Sequence, residues 1–138
     1  GTTMLAAMSL GADGVQIGSR FAISKESSAH DIFKNYVLSA RDGDTVLTLK
    51  ELAPVRMLKN EFFQKIQSIY NRSGSKEELV ELLGRGRIKK GVFEGDLRDG
   101  NLEIGQVSAI INSINSVEEI INEVIYDYKK AQENLFSF

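Results

Sequence analysis

The chain has 138 residues, 42% of them hydrophobic and 26% charged, enough apolar material for a domain with a core of its own. A formal net charge of −2 gives no field that would draw it to nucleic acid or to an anionic membrane. Cysteine is absent, which excludes disulfides, thiolate metal sites and cysteine nucleophiles together, and no apolar run approaches the ~20 residues of a membrane span.

No basic stretch followed by an apolar one marks a signal peptide. A cysteine-free sequence suits a reducing compartment, so the expectation is a soluble, cytoplasmic protein. The first residue is Gly1, and the first methionine, Met4, already lies inside an apolar helical pattern. A natural start there would cut into a helix, so a truncated or processed chain is expected.

In chain order, Thr2 and Thr3 offer caps to a helix carrying Met4, Leu5, Met8 and Leu10, which Gly11 ends. Gly14 to Ile17 then reads as a short buried strand with glycine on both sides. Helix, loop and strand make the second half of a β/α unit. Ser28 and Asp31 open a helix with Ile32, Phe33, Tyr36, Val37 and Ala40 on one face. After the Asp42-Gly43-Asp44 turn, Thr45–Leu49 and Val55–Leu58 read as short extended pieces, separated by the only proline, Pro54. Glu61–Tyr70 has helical spacing.

Ser75 and Glu78 form a capping box for a helix through Leu83, and glycines 84 and 86 weaken its continuation into Arg85–Phe93. Gly95–Asn101 is rich in turn residues. Ile104, Val107, Ile110, Ile111 and Ile114 fit a helical stripe. A second capping box, Ser116 with Glu119, starts the last helix, with Val117, Ile120, Ile121, Val124, Ile125 and Tyr128 facing inward. A lone parallel strand needs neighbours on both edges, so the pattern asks for a missing half.

The segment Gly11-Ala12-Asp13-Gly14-Val15-Gln16-Ile17-Gly18-Ser19-Arg20-Phe21 carries the chemistry. Gly18 lets backbone approach a ligand closely, and Ser19 sets a hydroxyl beside backbone N–H groups. At the C-terminal end of a strand this suits a phosphate, although a plain tight turn has the same composition. Arg20 suits either a phosphate or a neighbouring carboxylate. His30, the only histidine, is assigned to capping at a helix start rather than to catalysis or metal binding. The basic cluster Arg85, Arg87, Lys89 and Lys90 reads as a solvated face, with an acidic docking partner as the second reading. Asp96, Asp99 and Gly100 lack calcium-loop spacing and read as a turn.

That segment resembles the eighth-strand motif of the nitronate monooxygenase (2-nitropropane dioxygenase) family, whose fold and motif the flavin-dependent enoyl-acyl carrier protein reductases share. The resemblance continues through Lys25–His30, Ala40–Thr45, Pro54–Arg56, Lys59-Asn60, Glu94–Leu97 and Gly105-Gln106, nearly the whole chain in the family's order. It implies an α/β protein: the C-terminal fragment of a (β/α)8 TIM barrel, residues 1–26, followed by a mostly helical region, residues 27–138. It implies FMN as cofactor, with its phosphate held by Gln16, Ile17, Gly18 and Ser19. The family's other phosphate glycines and its catalytic histidine are expected upstream of Gly1, so no residue of this chain is expected to be catalytic and none to bind metal.

The implied parent oxidises alkyl nitronates with O2, with no nucleic-acid or membrane partner. A barrel of this type needs on the order of 250 residues, so the fragment alone is expected to be inactive. The reductase activity and a non-catalytic helical domain are the alternatives. The apolar stripes of the last helices are assigned to core, with a homodimer seam as the second reading.

Overall fold

Mixed helix and strand elements divide the chain into two compact units, residues 1–27 with the described residues from Ile114 onward, and residues 28–113. The structure, a computed structural model, describes residues 1–135. The last helix therefore joins the N-terminal unit, whereas the sequence suggests one break after residue 26.

In the first unit α1 (Thr2–Ser9) packs against α6 (Val117–Leu135). Gly1, not a threonine, occupies the cap position of α1, and no side chain caps it. The helix begins one residue earlier than the threonine pattern suggests, which places both hydroxyls inside the first turn. The capping box of α6 forms as expected: the Glu119 N–H donates to Ser116 Oγ at 3.1 Å, and the Ser116 N–H donates to the Glu119 carboxylate at 2.6 Å. Only Ile120 is fully buried on this helix, with Val117, Val124 and Tyr128 half-buried. Ile121 and Ile125 are each 44% exposed, correcting the broader inward face expected. They lie roughly 100° round the helix from the buried Ile120–Val124–Tyr128 line.

Between α1 and the single turn α2 (Ser19–Ala22), residues 13–18 adopt no regular structure and are exposed. The buried strand expected at Gly14–Ile17 is corrected here: Val15 is 39% and Ile17 37% exposed. A strand exists by bonding to a neighbour, and no described residue offers Asp13 to Ile17 a backbone partner.

The second unit is built on an antiparallel hairpin of β1 (Thr45–Thr48) and β2 (Val55–Leu58), in register Thr45 opposite Leu58 and Thr48 opposite Val55. Its inward side chains join those of α4 (Glu61–Asn71) and α5 (Lys76–Leu83) in a core of Leu49, Met57, Phe62, Ile66, Ile69 and Leu79. Leu49 takes a φ of 54°, a left-handed conformation that β-region residues avoid, while its side chain is anchored in that core. Asn60 caps α4 by accepting from the Phe63 N–H at 3.0 Å, and its Nδ2 donates to the carbonyls of Leu97 and Gly100. The Ser75–Glu78 capping box of α5 is complete.

Ile104 belongs to a third extended segment, not to the helical stripe expected over 104–114. The Leu58 N–H donates to Leu102, the Ile104 N–H donates to Arg56, and Met57 bridges Glu103. Leu102 and Ile104 point into the core while Glu103 is half-exposed, an alternation of period two. Only Gln106–Ile110 coils, as a short 3-10 turn. The uncertain stretch before Phe93 becomes a π-helical turn, Lys89–Phe93. There Gly91 and Gly100 touch backbone to backbone, so a methyl on Gly100 would fall on Gly91 itself, and one on Gly91 would sit 2.6 Å from the Asn101 carbonyl oxygen. Packed beside these turns, α3 (Asp31–Leu38) buries Phe33, Lys34 and Val37.

Candidate functional site: the Gln16–Ser19 turn

The four residues singled out for phosphate, Gln16, Ile17, Gly18 and Ser19, form one continuous turn between the end of α1 and the start of α2. Gly18 has φ −98° and ψ −75°, and its carbonyl accepts from the N–H groups of Phe21 at 3.0 Å and Ala22 at 2.9 Å. That carbonyl is thereby committed to starting α2. The N–H groups of Gln16, Ile17 and Gly18 have no acceptor among the described residues. A Cβ built on Gly14 or on Gly18 meets nothing within 4 Å. The turn thus presents successive unanswered donors next to open space, beside a serine hydroxyl at the first position of α2. Chemically it suits an oxyanion rather than a cation.

Arg20 sits on α2 and pairs with Glu123 on α6 at 3.3 Å; its side chain is 16% exposed. Of the two roles open to it in the sequence, the carboxylate partner is the one present. Further along, the Lys25 N–H donates to Asn115, Lys25 Nζ lies 3.2 Å from Glu119, and the Glu26 carboxylate accepts the Val117 N–H through both oxygens at 2.9 and 3.0 Å. Glu119 is held below the usual carboxylate range by the Ser116 N–H first and by Lys25 second. The segment after the turn is thus tied to the first turn of α6.

His30 takes the structural role assigned to it. Its Nδ1 accepts the Ile32 N–H at 3.2 Å as the cap of α3, and its ring lies against Gly95. The helix opens at Asp31 under this histidine cap rather than at Ser28. The basic cluster is largely answered within the chain: Lys89 pairs with Glu94, Lys90 with Asp96 at 3.0 Å, and Arg87 donates to the Asp99 carbonyl while lying 5.0 Å over the Phe62 ring. Asp96 is the pivot of a turn, accepting from the Arg98 and Asp99 N–H groups at 2.9 and 2.8 Å. Those bonds, the Asp99 one first and then Lys90, hold its carboxyl low. Among the described residues no group of histidine and carboxylate side chains is arranged to hold a metal ion, and no helix is long and apolar enough to cross a membrane.

One feature has no sequence signal. An open pocket of about 130 Å³ lies between the end of α3 and the hairpin, lined by Tyr36, Ser39, Ala40, Asp44, Leu58 and Lys59. Its polar groups bond one another or nearby backbone: Tyr36 Oη donates to the Lys59 carbonyl, Lys59 Nζ to Gly43, and the Arg41 N–H to Asp44. These contacts join residues 23 or fewer positions apart through a turn, which periodicity does not encode.

The profile of nitronate monooxygenases matches residues 1–127. The chain belongs to the nitronate monooxygenase family. A probable nitronate monooxygenase of Staphylococcus saprophyticus is 29% identical over 134 residues, covering 96% of this chain and 36% of that protein. From Mycobacterium tuberculosis, (3aS,4S,5R,7aS)-5-hydroxy-7a-methyl-1-oxo-octahydro-1H-indene-4-carboxyl-CoA dehydrogenase is 24% identical, covering 92% of this chain and 46% of its own length. Among solved structures, FabK from Thermotoga maritima superposes with a TM-score of 0.85 at 35% identity, over 96% of this chain and 42% of FabK. The chain therefore spans less than half the length of the relatives it matches.

Proposed function

We propose that these residues form the C-terminal part of an FMN-dependent (β/α)8 oxidoreductase that oxidises alkyl nitronates with O2. The observation that carries the proposal is the Gln16–Ser19 turn, with its unanswered Gly18 N–H and the open space at Gly18, in a chain of this family. On this reading Gly14 to Ile17 are the eighth barrel strand, whose N–H groups gain their ladder when a neighbouring strand lies beside it. That leaves the Gly18 N–H at the strand's C-terminal end. The barrel part then comprises residues 1–26 and the helical region follows.

The residues present fit the cofactor. Gln16, Ile17, Gly18 and Ser19 would line the FMN phosphate, held through the Gly18 N–H and the Ser19 hydroxyl, and a Gly18 without Cβ leaves room for its oxygens. Bound flavin supplies the two-electron acceptor chemistry of the family. This chain's part is to bind and orient, and none of its residues is assigned a catalytic role.

The superposition on FabK favours a second reading, a flavin-dependent enoyl-acyl carrier protein reductase. The two are separated in a chain of the relatives' full length that carries these residues. Nitronate consumption with O2 and without nicotinamide is the expected result. Reduction of a crotonyl thioester by reduced nicotinamide, with no nitronate turnover, would establish the reductase instead. Failure of that protein to bind FMN at all would leave a non-catalytic helical domain.

A further inference from the structure

Resting on the reading of Gln16–Ser19 as the phosphate turn, we infer that the Arg20–Glu123 ion pair is the device by which α6 positions that turn, with Arg20 a positioning residue and not a phosphate ligand. The turn runs directly into α2, a single turn of four residues that has too few internal hydrogen bonds to hold its own shape. Its orientation must come from what it packs on, and α2 packs on α6. Arg20 is the one charged residue of α2; its side chain is largely covered and its guanidinium lies 3.3 Å from Glu123, which stays more than half exposed.

The other end of the linkage is fixed. The first turn of α6 is closed by the Ser116–Glu119 capping box and gripped by Glu26 and Lys25, and the body of the helix rests on α1. A phosphate arriving at Gln16–Ser19 therefore meets a donor set whose aim is transmitted through a guanidinium–carboxylate contact, where the planar fork fixes direction as well as distance. Were Arg20 itself a ligand, Glu123 would compete with the phosphate for it, and removing Glu123 would strengthen binding. The two arrangements predict opposite signs.

The test is FMN affinity, measured by fluorescence quenching in a chain of the relatives' full length, with the thermal midpoint of the flavin-free protein as the control. Glu123 is exposed enough for Glu123→Gln to leave that midpoint unchanged. Both Glu123→Gln and Arg20→Gln are expected to weaken FMN by about fivefold or more, and the double variant by no more than either single one. Arg20→Lys, which keeps a charge for Glu123 but not the planar fork, is expected to recover only part of the loss. Unchanged or tighter binding in Glu123→Gln, or additive losses in the double variant, overturns the inference while leaving the phosphate site standing. An unsubstituted protein that binds no FMN removes both.

Discussion

Gly95 shows how one residue couples two distant segments. It holds a φ of +76°, and a Cβ there would lie 2.6 Å from Nδ1 of His30, the atom that caps α3. Gly95→Ala therefore combines backbone strain with a clash against the cap, and should cost about 2 kcal/mol in chemical denaturation, the usual scale for a disfavoured φ with steric overlap. A loss below a few tenths would show that the His30 ring moves aside freely. At the same scale the sequence was informative about type and silent about partners. His30 is recognisable as a cap because a lone histidine with no second ligand has little else to do at a helix start. Its contact with Gly95 spans a loop that no spacing rule encodes. Arg20 likewise left two roles open, and only the fold brings Glu123 to it.

Helices closed by their own side chains were the legible elements. Ser75 with Glu78 and Ser116 with Glu119 announce α5 and α6 because the cap and its acceptor lie three residues apart in the chain. The hairpin strands Thr45–Thr48 and Val55–Leu58, paired across a short loop, were legible too, whereas a segment whose strand partner is distant in the chain or absent from it was not. The stripe of Ile104, Val107, Ile110 and Ile111 satisfies helical spacing, yet Leu102 to Ile104 pairs with β2, and tertiary hydrogen bonds override periodicity. Gly14 to Ile17 errs in the other direction, with a strand composition and no described neighbour to bond.

The caps also make a pH prediction. The Ser75 N–H first, and Arg72 second, hold the Glu78 carboxyl low, as Ser116 and Lys25 do for Glu119. A carboxyl depressed in the folded state stabilises above its unfolded value, about 4.3, and loses that contribution as pH falls through the lower folded value. Glu103 acts in the opposite sense, because burial raises it, and its contribution is lost as pH rises. Glutamine can still close a capping box, so Glu78→Gln with Glu119→Gln should keep the fold while flattening the drop in melting temperature between about pH 5 and about pH 3. A drop as steep as in the unsubstituted chain would place the acid sensitivity elsewhere.

For the whole molecule, the sequence conveys the family through motifs spread along nearly the entire chain, and the match over residues 1–127 agrees. It does not convey that the chain divides discontinuously, with α6 returning to the N-terminal unit. Val117, Ile120 and Val124 show an apolar face without saying what the helix meets, and α6 packs on α1 and α2, about a hundred residues away.

On the proposed reading the phosphate of a flavin sits at Gln16–Ser19. The most direct measurement is the visible flavin absorbance of purified full-length protein with and without Gly18→Val, alongside its circular dichroism melt. Because a Cβ at Gly18 meets nothing within 4 Å among the described residues and its φ is negative, valine should leave the fold intact and act where phosphate oxygens approach. The parent is expected to be flavin-loaded and the variant colourless with an unchanged melt. A variant that keeps its full flavin content would contradict this placement and move the phosphate to another part of the protein.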